Sequence, residues 1–473
     1  MLSILVGHSY FLRFDPKQFQ RAKPYPPLAT LQVAAMLRRS GHQVALFDAM
    51  LAEGLEEYTR SLHAQAPQLL VIYEDNFNFL SKMCLGAMRE AACAMIRAAR
   101  ERGARVIVAG SDASDAPGPY LSAGADAVLA GEGLEALTQL VQRLDANPTL
   151  SREQLVAGIP AIAPAAGSKG RAPAAARGAD AIQPELPAWD LVDMQRYRSA
   201  WQAAHGYFSL NMASSRGCSF RCAWCAKPIW GNRYLQREPG AVAAEMLHLK
   251  QHFAPDHIWF ADDIFGFRTD WVQAFARAAR AGGGAVPFTI QSRADLMSPG
   301  MAAALREAGC QEVWLGAESG SQRVLDAMNK GVQVAEIHTA RARLKAAGIR
   351  VGFFIQLGYL GEQLEDILAT RELIDTACPD DIGISVSYPL PGTAFYEQVK
   401  AQLGAKTHWQ DSSDLAMMFQ GTYASEFYRA VRDLLHEQVK LQCNAAVADR
   451  EPARQQLRRS WQRLVAREGE CRT

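Results

Sequence analysis

Short apolar runs alternate with amphipathic stretches in two separate regions of this chain, before residue 145 and again after residue 206. Short apolar runs between turn residues predict buried strands, and the amphipathic stretches between them predict helices. Regular alternation of this kind favours an α/β fold built on parallel sheets. At 473 residues the chain is long enough for more than one such domain.

The first region, residues 1–145, is predicted to be an open doubly wound, Rossmann-like domain. Its five predicted strands are Ser3–Val6, Gln43–Phe47, Gln68–Tyr73, Ala104–Ala109 and Ala127–Ala130. Ligands of such sheets bind in the crevice beyond the carboxyl ends of the strands. Glycine and small polar residues occupy these predicted ends, namely Glu74, Asp75, Asn76, Gly110, Ser111, Gly131, Glu132 and Gly133. We therefore expect the ligand pocket of this domain to be lined by them.

Three further segments follow. Residues 146–205 are predicted to form a linker rich in Ala, Pro and Gly and a bridging segment. Residues 206–400 alternate six strand and helix patterns and predict a partial (β/α)6 barrel, whose functional residues should lie at the carboxyl ends of the strands. The six predicted strands are Leu210–Ala213, His257–Ala261, Pro287–Gln291, Glu312–Gly316, Val351–Leu357 and Ile382–Ser387. Residues 401–473 are predicted to be a helical C-terminal region.

Three cysteines, Cys218, Cys222 and Cys225, follow the first strand of the second region in a C-x3-C-x2-C loop. Closely spaced thiolates select zinc or an iron–sulfur cluster. Structural zinc usually takes four ligands in two separated pairs, and no second pair follows here. A three-thiolate loop suits a cubane cluster with one open iron. Zinc with His205 as the fourth ligand, or three unliganded core cysteines, are the alternatives.

With Trp224 directly before the last cysteine, this loop resembles the signature of the radical S-adenosylmethionine (SAM) superfamily. The resemblance implies a [4Fe–4S] cluster on the three cysteines and SAM on the open iron, cleaved to a 5′-deoxyadenosyl radical. It also implies SAM contacts at strand ends. The residues so assigned are Trp224, Asp262, Asp263, Arg293, Glu318, Ser319 and Gln356.

The stretch Tyr25–Leu28 and the run Gly131–Gly133, in a doubly wound domain ahead of a barrel, resemble the cobalamin-binding radical SAM proteins of the class B methyltransferase kind. This resemblance implies that cobalamin is held at Pro26, Leu28 and the glycine and polar strand ends named above. The loop after the first strand lacks the Asp-x-His-x-x-Gly pattern of histidine-ligated cobalamin. We therefore expect His8 to be a structural residue rather than a cobalt ligand.

The leading hypothesis is a methyltransferase that moves a methyl group from SAM, via methylcobalamin, to an unactivated carbon or phosphorus centre of a small molecule. A cobalamin-dependent cyclase or rearrangement enzyme without methyl transfer is one alternative, and a non-catalytic cobalamin sensor is another. A methylthiotransferase is disfavoured. That group needs three further cluster cysteines in its first domain, and only Cys84 and Cys93 lie there.

Composition limits the partners and the location. Lys and Arg number 50 against 49 Asp and Glu, so we expect no nucleic acid partner. No apolar run approaches the length of about 20 residues that crosses a membrane, and the N-terminus lacks the pattern of a signal peptide, which predicts a cytoplasmic protein. The resemblance further implies an external electron donor of the flavodoxin or ferredoxin type.

Overall fold

The computed structural model describes residues 1–83, 85–163, 186–225, 233–406, 408–443 and 450–473. The chain divides into two compact units. The first unit contains Met1–Asn211, Ala226–Arg233 and His408–Asp414, and the second contains Met212–Cys225, Tyr234–Thr407 and Leu415–Thr473.

The first unit is built on a parallel five-stranded sheet of order β2-β1-β3-β4-β5. Its strands are β1 (Ser3–Gly7), β2 (Gln43–Phe47), β3 (Leu69–Tyr73), β4 (Arg105–Ala109) and β5 (Ala127–Leu129). Alternate residues of β3 and β4 enter two different apolar cores, one on each face of the sheet. Successive side chains of a strand point to opposite faces, so both faces are covered by helices, as a doubly wound sheet requires.

Ten helices belong to the described part of this unit. They are α1 (Pro16–Arg21), α2 (Leu28–Arg39), α3 (Leu55–Gln65), α4 (Phe79–Lys82), α5 (Gly86–Glu101), α6 (Ser111–Asp115), α7 (Pro117–Ser122), α8 (Leu134–Ala146), α9 (Arg152–Val156) and α10 (Met194–His205). In α10, the Tyr197 hydroxyl donates to Asp48 at 2.6 Å and Trp201 Nε1 donates to the Pro24 carbonyl at 2.6 Å. The end of the predicted bridging segment is therefore a packed part of the first unit, while residues 164–185 lie outside the described residues.

A second sheet has six strands in the order β13-β12-β11-β10-β9-β6, of which β9 to β13 run parallel and belong to the second unit. The strands of this sheet are β6 (Ser209–Met212), β9 (His257–Phe260), β10 (Phe288–Ser292), β11 (Cys310–Glu318), β12 (Arg350–Leu357) and β13 (Asp381–Val386). One face packs on helices, as Phe260 and Phe288 do against Phe275. Trp259, Gln291 and Trp314 share the opposite face.

Two short strands, β7 (Ser215–Gly217) and β8 (Tyr234–Gln236), form a separate antiparallel ribbon. The helices of the second unit are α11 (Pro239–Phe253), α12 (Thr269–Ala281), α13 (Pro299–Ala308), α14 (Gln322–Ala327), α15 (Val334–Ala346), α16 (Leu364–Ala377), α17 (Ala394–Val399), α18 (Ser425–Cys443) and α19 (Arg450–Ala466). In the described part of the chain, no helix is long and apolar enough to cross a membrane.

The predicted fold class is confirmed: a doubly wound α/β domain precedes a half-barrel and C-terminal helices. The β7–β8 ribbon was not predicted, because strands of three residues are too short to show a hydrophobic period. The predicted boundaries at residues 145, 205 and 400 stay predictions.

Candidate functional site

The ribbon places the cysteine loop at the carboxyl edge of the second sheet. Cys218 follows Gly217, the last residue of β7, whose φ of +73° is easily adopted by glycine. Just ahead of the ribbon, Ser214 donates to Asp262 through its backbone nitrogen and, at 2.7 Å, through its hydroxyl. The Ser215 hydroxyl donates to the same carboxylate. Asp262 therefore anchors the chain that leads into the loop.

The backbone of the cysteine loop is held from two sides. Ala223 N donates to the Met328 carbonyl at 2.8 Å, and the Ala223 carbonyl accepts from Phe395 N at 3.0 Å. Asn329 Nδ2 donates to the Arg221 carbonyl at 2.9 Å. These contacts fix the loop before any ligand binds, which is the preorganisation that a ligand-binding loop needs.

Arg293, which follows β10, lies against this loop. Its guanidinium stacks on the Phe220 ring, 3.6 Å from the ring centroid, and its Nη1 is 3.8 Å from Cys222 Sγ. Two parallel hydrogen bonds of 2.9 and 3.0 Å join it to Asp295. Cys218 is buried, whereas Cys222 and Cys225 are partly exposed. The Arg293 guanidinium thus places a fixed positive charge beside the Cys222 sulfur.

Glu318, at the end of β11, forms a buried ion pair with Lys330. Lys330 Nζ is 2.6 Å from Glu318 Oε1, and both side chains are less than a tenth exposed. Burial alone would lower the pKa of Lys330, but the charges of Glu318 and Cys222 raise it, so the amine is protonated. Glycine is required at Gly316, since a Cβ there would lie 2.6 Å from Lys330 Nζ. The Glu318 backbone has a φ of +60°, a strained conformation of the kind that occurs at functional sites.

Ser319 is fully buried and holds the turn after β11 in place. Its hydroxyl is 3.1 Å from the Thr370 hydroxyl of α16, and the Ser321 hydroxyl donates to Asp366 at 2.6 Å. Gly320 fits directly against the backbone of Ala369. Ser319 thus holds the turn that carries Glu318, and its predicted contact with SAM stays a prediction.

The predicted acidic pair, Asp262 and Asp263, is divided by the fold. Asp262 is fully buried, and burial raises its pKa to about 6 in spite of its serine donors. Asp263 is exposed. Of the two carboxylates, Asp263 is the one that a ligand can reach.

Several buried polar atoms near the carboxyl edge have no hydrogen-bond partner among the described residues. They are Trp224 Nε1, Gln356 Oε1 and Ser387 Oγ. A buried polar atom left unpaired costs about 1–3 kcal/mol, so such atoms mark places where a ligand or water is expected. Gln356 lies near the end of β12, and Ser387 directly follows the neighbouring strand β13, where its backbone nitrogen donates to the Leu357 carbonyl at 2.8 Å. The donor set therefore fits a polar ligand such as SAM bound next to the cysteine loop.

In the first unit, the carboxyl ends of β1, β3 and β4 are tied together through Glu74. Its carboxylate accepts from the Ser9 hydroxyl at 2.6 Å and from Ser9 N at 3.2 Å. A Cβ at Gly110 would lie 2.7 Å from Glu74 Cγ, so the close approach of these two strand ends requires glycine. Burial raises the pKa of Glu74. Ser111 follows as the first residue of α6.

Asp75 caps helix α2 from the neighbouring strand. Its Oδ1 accepts from Ala29 N at 3.0 Å, while Leu28, the first residue of the helix, is fully buried. Burial raises the pKa of Asp75. Pro26 is buried, and Asn76 Nδ2 is a buried donor without a partner in the described part of the chain. This end of the sheet thus offers an unused donor to a ligand.

The run after β5 is a tight turn. Gly131 and Gly133 have φ values of +68° and +57°, which glycine adopts without strain. Gly131 N donates to the Ser114 hydroxyl at 3.0 Å, and the Glu132 carbonyl accepts from the Tyr73 hydroxyl at 2.9 Å. The turn is closely packed, since a Cβ at Gly133 would lie 2.7 Å from Leu129 Cβ.

Two histidines named from the sequence have structural partners. His8 is buried with Nε2 3.0 Å from Asp48 Oδ1; burial would lower its pKa, but the Asp48 carboxylate raises it. His205 Nε2 is 3.0 Å from the Ala22 carbonyl, so that nitrogen donates and cannot bind zinc. Cys84 lies outside the described residues.

Residues 212–374 match the family model of the radical SAM superfamily. This chain carries a radical SAM domain. The resemblance read from the cysteine loop is thereby confirmed. The matched stretch contains the cysteine loop, Arg293 and the Glu318–Lys330 pair of the radical SAM domain.

Curated relatives cover parts of the chain. An uncharacterized methyltransferase of Pyrococcus horikoshii is 28% identical over 214 residues, 45% of each chain. The hopanoid C-3 methylase of Methylococcus capsulatus is 23% identical over 81% of this chain and 70% of its own length. The anaerobic magnesium-protoporphyrin IX monomethyl ester cyclase of Cereibacter sphaeroides is 26% identical over 59% of this chain and 45% of its own. The chain thus spans about half the length of the first and third of these relatives.

Solved structures share the fold over both units. The radical SAM methyltransferase TsrM of Kitasatospora setae, with cobalamin and a [4Fe–4S] cluster bound, superposes with a TM-score of 0.65 over 86% of this chain and 76% of its own, at 19% identity. The cobalamin-dependent radical enzyme OxsB, with aqua-cobalamin and SAM bound, reaches 0.68 over 99% of this chain and 71% of its own, at 15% identity. At identities of 19% and 15%, these two structures show a similar fold and nothing more specific.

Sequence reasoning missed Lys330, the partner of Glu318. The residue sits in a turn between α14 and α15, where a single lysine carries no signal of burial. Ser214 and Ser215 were missed as well, although two hydroxyls just before a cysteine loop could have suggested an anchor.

Proposed function

We propose that this protein is a cobalamin-dependent radical SAM methyltransferase that acts on an unactivated carbon or phosphorus centre of a small molecule. The observation that carries the proposal is the combination of a preorganised three-cysteine loop in the radical SAM domain with a preceding doubly wound domain. The fold of this pair resembles that of TsrM, which was solved with both cofactors. The relatives of this chain include a hopanoid C-3 methylase.

The residues of the radical SAM domain divide into two groups. Cys218, Cys222 and Cys225 would hold a [4Fe–4S] cluster, and Arg293 and Lys330 place positive charge next to this loop. We assign contacts with SAM to a second group, namely Trp224, Asp263, Glu318 and Gln356. Asp262 and Ser319 act indirectly, since Asp262 anchors the cysteine loop and Ser319 holds the turn of Glu318.

A carboxylate at Asp263 is suited to the ammonium group of SAM, and a cation at Lys330 or Arg293 is suited to its carboxylate. Trp224 can donate from its indole nitrogen, and Gln356 can accept at its free oxygen. With its cofactors bound, such a site supplies one-electron cleavage of SAM and methyl transfer through cobalt. An external flavodoxin- or ferredoxin-type protein would deliver the electron.

In the first unit, cobalamin would lie at the carboxyl ends of the strands. We place Pro26 and Leu28 beside it at the start of α2, and Gly110 and the turn Gly131–Gly133 beside it at the ends of β4 and β5. The unpaired Asn76 amide fits the many polar groups at the rim of a corrinoid. His8 is committed to Asp48, so we assign no cobalt ligand to it.

A cyclase or rearrangement reaction is the second candidate, since one relative is an anaerobic magnesium-protoporphyrin IX monomethyl ester cyclase. The test is anaerobic incubation of the reconstituted full chain with hydroxocobalamin, SAM and a strong reductant. We expect methylcobalamin in the visible spectrum and both S-adenosylhomocysteine and 5′-deoxyadenosine as products. Deoxyadenosine alone, with bound but unmethylated cobalamin, would favour the cyclase or rearrangement reaction instead.

A further inference from the structure

A short segment from the C-terminal part of the chain belongs to the first unit. Residues 408–414, here called the strap, begin 175 positions after Arg233 in the sequence, yet they pack within the first unit. Trp409 is 2% exposed and Ser412 is 6% exposed, so the strap is a buried part of the unit. The sequence analysis assigned these residues to the helical C-terminal region.

The strap binds the loop after β4 through His408. His408 Nε2 is 2.9 Å from Asp112 Oδ1, and Asp112 also receives two hydrogen bonds of 2.6 Å from Arg89 and one of 2.6 Å from the Tyr120 hydroxyl. Burial would raise the pKa of Asp112, but these donors lower it to about 2. Asp112 is the second residue of α6 and follows Gly110 and Ser111 directly. His408 therefore fixes a loop that lines the proposed cobalamin site.

The strap also caps the helix that follows β3. The Trp409 carbonyl accepts from Gly86 N at 2.7 Å, at the first turn of α5, where no side chain caps the helix. The first four N–H groups of a helix lack partners within it, so a carbonyl from outside stabilises that end. Gly86 is the first residue of α5, so this contact lies at the end of the segment that connects β3 to α5.

At its other end, the strap binds the loop after β1. The Ser412 hydroxyl donates to Asp15 Oδ1 at 2.6 Å, and Gln18 Nε2 is 3.2 Å from the same hydroxyl. Asp15 is 1% exposed and also accepts from Gln18 N at the start of α1. The strap thus contacts the connections after three of the five strands, β1, β3 and β4.

We infer that the strap is part of the cobalamin-binding structure: it holds the loops at the carboxyl edge of the first sheet in their binding conformation, with His408 as the positioning residue. This inference rests on the proposed function, in which that edge binds cobalamin. A binding site whose loops are fixed in advance loses less conformational entropy on binding. Loosening one of these loops should therefore weaken the binding of cobalamin without removing any group that contacts it.

The experiment compares full-length wild type with His408→Ala and His408→Gln. A glutamine amide can donate to Asp112 as histidine does, whereas alanine cannot. Titration with hydroxocobalamin, followed by absorbance, should give about tenfold weaker binding for His408→Ala and near-wild-type binding for His408→Gln. His338→Ala, a half-buried histidine of α15 in the other unit, is the matched control and should bind as wild type.

Hydrogen exchange of the proteins without cobalamin supplies a second readout, independent of cobalamin. His408→Ala should speed exchange in residues 110–116, and His408→Gln should not. Unchanged exchange and unchanged affinity in His408→Ala would overturn the inference. A wild type that binds no cobalamin would contradict the proposed function and the cobalamin role of the strap, while exchange would still decide whether His408 fixes the loop.

Discussion

Cys222 shares its surroundings with two cationic side chains from different elements. Arg293 reaches it from the end of β10, and Lys330 reaches the same region from the turn before α15, where it is paired with Glu318. A buried charge is stable only when it is paired and hydrogen-bonded. Glu318 and Lys330 therefore depend on one another, and the loss of either leaves an unpaired buried charge, whereas Arg293 has its own partner in Asp295.

We expect Lys330→Met to lower the free energy of unfolding by about 3 kcal/mol, because Glu318 would remain buried without a partner. Lys330→Arg should recover much of this loss. Lys400→Met, which removes an exposed ion pair with Glu397, is the control and should leave the free energy of unfolding close to that of wild type. Urea unfolding measures all three, and equal losses for Lys330→Met and Lys400→Met would contradict the buried pairing.

We expect the buried carboxyl of Glu362, in the turn after β12, to make the free energy of unfolding depend on pH. Burial raises its pKa from 4.5 to about 8, so the folded protein keeps a proton that the unfolded chain releases. The contribution of Glu362 to the free energy of unfolding is fully present below pH 4.5 and is lost as the pH rises towards 8. Glu362→Gln should therefore gain about 2–4 kcal/mol relative to wild type between pH 5 and pH 8.

The measurement is urea unfolding of wild type, Glu362→Gln and the exposed control Glu365→Gln at several pH values. Glu365→Gln should follow the wild-type curve. A constant difference between Glu362→Gln and wild type across this range would show that the Glu362 carboxyl titrates normally.

At the scale of elements, the turn after β11 depends on close contact with α16. A Cβ on Gly320 would lie 2.2 Å from the Ala369 carbonyl oxygen. This distance is too short for two non-bonded atoms, so the backbone of α16 would have to move. We expect Gly320→Ala to destabilise the fold by about 1–3 kcal/mol and to weaken SAM binding, since Glu318 belongs to the same turn. Thermal unfolding and SAM titration test this.

Gly240→Ala is the matched control for that substitution. Gly240 lies in the first turn of α11 with open space around its Cα, so alanine there should leave stability unchanged or slightly higher. Gly320→Ala with wild-type stability would show that α16 can move away freely.

Strands and helices were predictable from the sequence where the hydrophobic pattern was strong. Gln43–Phe47 was predicted with the bounds observed, and the predicted strands Gln68–Tyr73 and Ala104–Ala109 each begin one residue before the observed ones. The β7–β8 ribbon was not, because three-residue strands carry no periodicity. A pattern of apolar residues indicates which face of an element is buried. The ribbon is instead anchored by hydrogen bonds from Ser214 and Ser215 to Asp262, which such a pattern does not reveal.

At the scale of the whole molecule, the sequence pointed to the cysteine loop and to the strand ends but not to the contacts between them. Lys330 and His408 were missed because each meets its partner, Glu318 or Asp112, through the fold rather than through sequence spacing. The strap could not be predicted for the same reason. Residues 408–414 belong to the first unit because of tertiary contacts, and local sequence patterns do not reveal such contacts.

The central claim is that the three cysteines hold the cluster that cleaves SAM, in a protein whose cobalamin site is separate. The most direct test compares anaerobic wild type and Cys222→Ala, both loaded with hydroxocobalamin, for 5′-deoxyadenosine formed from SAM under a strong reductant. We expect deoxyadenosine from wild type, none from Cys222→Ala, and equal cobalamin binding in both. Deoxyadenosine from Cys222→Ala at the wild-type rate would contradict the claim.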